Sequence, residues 1–182
     1  SIRAMYPGAS AKTVEDSVTQ IIDPNSGDTR YRHVAVLSDG VGSRIELDSL
    51  ASFSDVYATS GNNEDLWSTM TARNGGAIDA PILSQLTGVS LTLDGTGSQS
   101  VSALASMTTG QLVLSGLDQT FSSLSQLTRV GITINSVQAD MSAVVSLTGS
   151  SLSLNNGANA NLSSVTNIDN ASIYVAGGVN LT

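Results

Sequence analysis

From residue 80 onward the apolar residues recur in one fixed order. A pair separated by a single residue appears as Leu91/Leu93, Leu112/Leu114, Ile132/Ile134, Leu152/Leu154 and Ile173/Val175, in steps of 21, 20, 20 and 21 residues. Five positions before each pair stand Leu86, Met107, Leu127, Leu147 and Ile168. Three positions earlier come Leu83, Leu104, Leu124, Val144 and Val165, and three earlier again Ala80, Val101, Phe121, Met141 and Leu162. The segment Leu-Ser-Gln-Leu-Thr, present at 83–87 and again at 124–128, is one slot of this repeat seen two units apart.

Each spaced pair puts both apolar side chains on one face of a strand. Gly and Asn gather where the chain has to turn, at Gly95/Gly97, Gly116, Asn155-Asn156-Gly157 and Gly177-Gly178. A unit this short cannot bury its own apolar face, so units must stack. The pattern predicts an all-β parallel β-helix, or β-solenoid, with coils of 20–21 residues. Each coil would hold three short strands, lie about 4.8 Å from the next, and turn its apolar columns inward.

Upstream, Ile45-Glu46-Leu47, Leu50 and Phe53 match part of a coil, Met70-x-Ala72 supplies a spaced pair, and Ile78-x-Ala80 opens the next unit. The excess length between Phe53 and Met70 predicts an inserted loop at about 54–68, and Val34-x-Val36 reads as an earlier strand. The solenoid is thus expected over 33–182. Residues 1–32 lack the repeat and read as an N-terminal cap. Within them Val14, Val18 and Ile21, after Thr13-x-x-Asp16, predict a short helix over 11–22. At the other end, Val179-Asn180-Leu181-Thr182 matches the opening of a further coil. The expectation is a longer natural protein, and self-association through an open last coil.

The repeats over about 43–182, rich in Ser, Thr and Gly around Leu-x-Leu pairs, resemble those of large secreted bacterial surface proteins with parallel β-helix (pectin-lyase-like) folds. That resemblance implies a right-handed coil and an extracellular or cell-surface location. A leucine-rich-repeat solenoid has a similar period and is the alternative. The Asn column expected after its strand is missing, since the equivalent segments read DGTG, SGLD, NSVQ and NNGA.

Composition narrows the function. The 182 residues carry a net charge of −8, with 12 % charged and 4 % aromatic residues. Lys12 is the single lysine, and Arg129 the single base after Arg73. Nucleic-acid binding needs basic clusters and is excluded. No apolar run reaches the length of a membrane span. The absence of cysteine removes disulfides and thiolate metal sites.

No catalytic constellation emerges. His33 is the sole histidine and no G-x-S-x-G segment occurs. Asp94, Asp118, Asp140 and Asp169 fall in different slots of their coils, so no carboxylate pair of the glycosidase type is marked. No enzymatic activity, metal or cofactor is expected.

Two polar columns and one loop remain. Thr87, Thr108, Thr128 and Thr148 form one column, and Ser102, Ser122, Ser142 and Ser163 another. Stacked hydroxyls suit a structural role; a flat Thr face for ice or crystalline polysaccharide is the sharper alternative. Tyr57, Glu64, Asp65 and Trp67 in the inserted loop combine aromatic faces with carboxylates, a pairing suited to sugars. The expected function is a non-catalytic structural or adhesive segment, whose partners are surface glycans or other surface proteins. A carbohydrate-binding module, or a fragment of a polysaccharide-degrading β-helix enzyme, is the alternative.

Overall fold

A computed structural model describes residues 2–5, 12–14, 17–24, 26, 31–56, 66–176 and 180–181. In chain order the strands are β1 (Ile2–Met5), β2 (Lys12–Val14), β3 (Gln20–Asp23), β4 (Ala35–Asp39), β5 (Arg44–Glu46) and β6 (Ser52–Asp55). Then follow β7 (Ser68–Arg73), β8 (Ala77–Asp79), β9 (Gln85–Leu93), β10 (Ser98–Gln99), β11 (Ser106–Leu114) and β12 (Gln119–Thr120). The last six are β13 (Gln126–Asn135), β14 (Gln138–Asp140), β15 (Ser151–Asn155), β16 (Asn159–Asn161), β17 (Ser172–Val175) and β18 (Asn180–Leu181). No helix occurs among the described residues.

All strand pairs are parallel, and each joins one coil to the next. The long sheet runs β1-β4-β7-β9-β11-β13-β15-β17, with β3 and β6 joining it at β9. A second wall is β2-β5-β8-β10, and a third sheet is β12-β14-β16-β18. The chain is therefore an all-β, parallel, solenoid-like stack. Its second and third sheets occupy the place where a leucine-rich repeat would carry a helix or a 3₁₀ segment.

Register holds the apolar columns as the repeat predicts. Val36, Met70, Leu91, Leu112, Ile132 and Leu152 are successive Cα partners and all are buried. Phe53, Leu86, Met107 and Leu127 form a second such column, equally buried. Phe121 and Met141 sit inside as expected, whereas Val101 and Leu162 at the same slot are partly buried. At roughly 1.5–3 kcal/mol for each fully buried side chain, the columns supply the main favourable term. That gain exists only where a coil has a neighbour on it. The last described coil shows the reverse, with Ile168 56 % and Ile173 41 % exposed.

The N-terminal region differs from the sequence-based expectation. In place of a helix over 11–22, Lys12–Val14 and Gln20–Asp23 are strands, paired in register with β5 and β6. With β1 on β4, these residues make another coil rather than a cap. The physical reason lies at the corners. Leu47, Leu50 and Phe53 are buried residues three apart where the chain bends between strands. Val18 and Ile21 repeat that spacing one coil earlier, and three-residue steps at a tight β-corner imitate one face of a helix.

The corner between the coils has its own rule. In β9, the segment before Gly88 pairs with β6 and the segment after it with β7. Gly88, Thr109, Arg129, Gly149 and Asn170 occupy this corner in successive coils, each with positive φ between 49° and 65°. One left-handed residue turns the chain there, so the end of one coil runs straight into the next. Between β6 and β7 the same corner holds the insertion. Ser54, Asp55 and Ser68, placed in the loop by the sequence pattern, belong to the strands, and 57–65 lie outside the described residues.

Candidate functional site

The base of the insertion is held by buried polar chemistry. Asp55, 1 % exposed, ends β6, and Ser68, fully buried, opens β7. The Ser68 main-chain N–H donates to Asp55 Oδ2 at 3.0 Å, and its hydroxyl donates to the same oxygen at 2.8 Å. The Val34 N–H in turn donates to Ser68 Oγ at 2.9 Å, tying the preceding coil to the same point. One coil back, Asp23 is the register partner of Asp55 and is also buried, and Arg32 Nε lies 2.7 Å from its Oδ1. The Asp55 carboxylate is tolerated because donors are aimed at it, and that of Asp23 because a guanidinium charge lies beside it.

Of the residues expected to recognise a ligand here, Trp67 is half-buried beside Ser68 and Leu66 is exposed. Tyr57, Glu64 and Asp65 lie outside the described residues. Exposed Val56 adds apolar surface at the foot of the insertion. Alternation alone does not mark Asp55 and Ser68. The strand Ser52-Phe53-Ser54-Asp55, with a carboxylate at the inward position two after Phe53, is the signal that identifies them.

The hydroxyl columns are real but unequal. Ser54, Thr87, Thr108 and Thr128 are successive register partners, half-buried on the outer face. Thr148 continues the column in a turn, its hydroxyl 2.8 Å from Ser146 Oγ. In the Ser column, the Ser122 hydroxyl donates to the Ser102 carbonyl at 3.4 Å. The N–H groups of Ser142 and Ser163 are capped by Asp140 and Asn161 two residues before them. A further coil-to-coil ladder escapes sequence reasoning. Ser84, Ser125 and Thr166 donate their hydroxyls to the carbonyls of Ala51, Ala105 and Val145 in the coil before. The serine inside the duplicated Leu-Ser-Gln-Leu-Thr segment is thus a rung of the stack.

Charged residues pair across coils. Asp39 accepts from Arg73 Nε at 2.9 Å and from Asn74 Nδ2 at 2.8 Å. The Asn74 hydrogen bond, with Arg73 beside it, holds the Asp39 carboxyl below its ordinary value. Asp140 is likewise held low, first by its hydrogen bonds to Ser142. Arg44 bridges Glu46 at 3.0 Å and Asp79 at 2.7 Å. His33 and Arg129 are exposed. Among the described residues no group of three or more His, Asp or Glu side chains lies close enough to hold a metal ion, and none of these pairs places a base beside a nucleophile.

One concavity interrupts the side wall. β10 and β12 face each other across adjacent coils without pairing, although β9 and β11 beside them are fully paired. A cavity of about 260 Å³ opens there, lined by Ala72, Leu93, Gly95, Gly97, Ser98, Gln99, Leu117 and Gln119. Its lining is uncharged, with amide and hydroxyl groups beside aliphatic ones, and Leu117 is 57 % exposed at its edge. Gln99 is anchored by its Nε2, which donates to the Thr92 carbonyl at 2.7 Å.

No family model matches the chain, and comparison with the curated proteins and with the solved structures finds no match to either.

Proposed function

We propose that the chain is a non-catalytic structural and adhesive segment of a secreted or cell-surface bacterial protein. The observation that carries this reading is the continuous in-register stack from Val36 to Leu152, with neutral hydroxyl and amide side chains on its outer face. A parallel stack in which every coil supports the next resists bending and pulling, and recognition is left to loops such as the one between β6 and β7. A right-handed winding of pectin-lyase-like type belongs to the same proposal. Its support is the strong right-handed preference of parallel crossover connections. Single-molecule pulling tests the mechanical role: stepwise release of coils at high force is expected, and smooth low-force extension would sink the rod reading.

A second reading, carbohydrate binding, is favoured by the uncharged cavity between β10 and β12 and by half-buried Trp67. Amide groups beside aliphatic surface suit a neutral sugar. A glycan array probed with the wild-type chain, with Trp67→Ala and with Leu117→Arg separates the two sites. Binding lost in either variant would replace the purely mechanical reading, and an empty array would remove the second.

A further inference from the structure

The chain contains two Asn-Gly turns, and the surroundings of the two differ. Asn74-Gly75 follows β7, and Asn156-Gly157 joins β15 to β16. All four residues have positive φ, between 54° and 84°. At the first turn every reacting group is engaged. Asn74 Nδ2 donates to Asp39 Oδ1 at 2.8 Å, the Gly75 N–H donates to the Thr96 carbonyl at 2.6 Å, and a Cβ on Gly75 would lie 2.8 Å from Val41 Cγ2. At the second turn the Ala158 N–H closes the loop on the Asn155 carbonyl at 3.1 Å. Among the described residues, neither the Asn156 amide nor the Gly157 N–H has a partner, both residues are exposed, and nothing lies within 4 Å of a Cβ built on Gly157.

We infer that Asn156 is a site of spontaneous deamidation, whereas the fold protects Asn74. The Gly157 main-chain nitrogen, having lost its proton to solvent base, attacks Asn156 Cγ. The new C–N bond closes a five-membered imide, the Cγ–Nδ2 bond breaks, and the amide leaves as ammonia. Water then adds to one of the two ring carbonyls, the C–N bond at that carbon breaks and the nitrogen takes up a proton, giving aspartate or isoaspartate. Glycine favours the step because it has no Cβ to screen the attacking nitrogen. At Asn74 the same step requires two hydrogen bonds to break and Gly75 to move away from Val41. The product at 156 carries a new negative charge. In its isoaspartate form it also adds a main-chain atom to the turn, next to the Asn155–Asn135 amide pair that joins two coils at 3.2 Å.

The test is peptide mapping by mass spectrometry after incubating the folded chain at weakly alkaline pH, with fragmentation that distinguishes isoaspartate. Asn156 is expected to convert about tenfold or more faster than Asn74, the difference that one lost hydrogen bond produces. In urea the two rates should approach each other. Asp39→Ala should raise the native rate at Asn74, and Asn156→Gln should remove the major product. Equal native rates at the two sites, or faster conversion at Asn74, would overturn the inference.

Discussion

The hydroxyl and the main-chain N–H of Ser68 both donate to a single carboxylate oxygen of buried Asp55, across the mouth of the insertion between β6 and β7. Removing the acceptor strands two buried donors. Asp55→Ala should therefore cost about 2–4 kcal/mol, and Ser68→Ala, which also deprives the Val34 N–H of its partner, a similar amount. Urea titration of each variant checks this; a loss under about 0.5 kcal/mol would mean that the corner repacks without the pair.

Met141 is fully buried in the stack. Met141→Asp places a charge where nothing can pair with it, so more than about 4 kcal/mol should be lost. Adjacent coils depend on one another, and the thermal transition should move as a whole. An unchanged melting curve is the outcome that contradicts this interior.

The corners separate two kinds of glycine. A Cβ on Gly110 would sit 2.3 Å from the Val89 carbonyl oxygen, with φ at 131°, while one on Gly157 would meet nothing. Gly157→Ala should cost about 1–2 kcal/mol, from its backbone angle alone. Gly110→Ala should cost several times as much or prevent folding. Comparing their denaturation midpoints, or soluble yields, decides the matter.

Acid should weaken the fold in a defined direction. Asp39 and Asp140 are held below their ordinary values, chiefly by Asn74 and by Ser142. A depressed carboxylate contributes stability that is complete above the unfolded value, about 3.9, and is lost as pH falls through the folded value. Both groups are half-buried at the surface and within reach of solvent, so the contribution is modest. The double variant Asp39→Asn, Asp140→Asn should lose stability near neutral pH and show a flatter acid limb below about pH 4. Urea midpoints across that range measure it.

Ile173 and Val175, inward-facing by register, are 41 % and 40 % exposed on β17. This chain should therefore self-associate with rising concentration, and Ile173→Lys should reduce it. Sedimentation velocity reads the outcome; identical profiles for the two proteins would locate any association elsewhere.

Much of this architecture is legible in the sequence because the interior of a stacked coil is a column, and a column is a period. Leu91, Leu112, Ile132 and Leu152 announce themselves by spacing alone. The first coils are hidden because the corner insertions stretch the step, placing Asp39 and its partner Arg73 34 residues apart. The corners themselves are hidden because Thr109 and Arg129 stand where glycine would have signalled left-handed backbone. The break between β10 and β12 leaves no composition signal, since Ser98 and Gln119 are as polar as the paired residues around them. Of the residues that the sequence offers for ligand recognition, Trp67 is at the foot of the insertion, and Tyr57, Glu64 and Asp65 lie outside the described residues.

The corner also defines where this scaffold accepts new sequence. At Gly88, Thr109 or Arg129 one residue carries the chain from coil to coil; between Asp55 and Ser68 the separation is 13 residues, yet Phe53 still meets Leu86 and Met70 still meets Leu91. Chain length is thus decoupled from interior alignment at this one point of each turn. A foreign recognition loop grafted at Thr109 or Arg129, flanked by an acceptor and a donor copied from Asp55 and Ser68, would give a rod with binding segments placed at intervals of one coil along one edge.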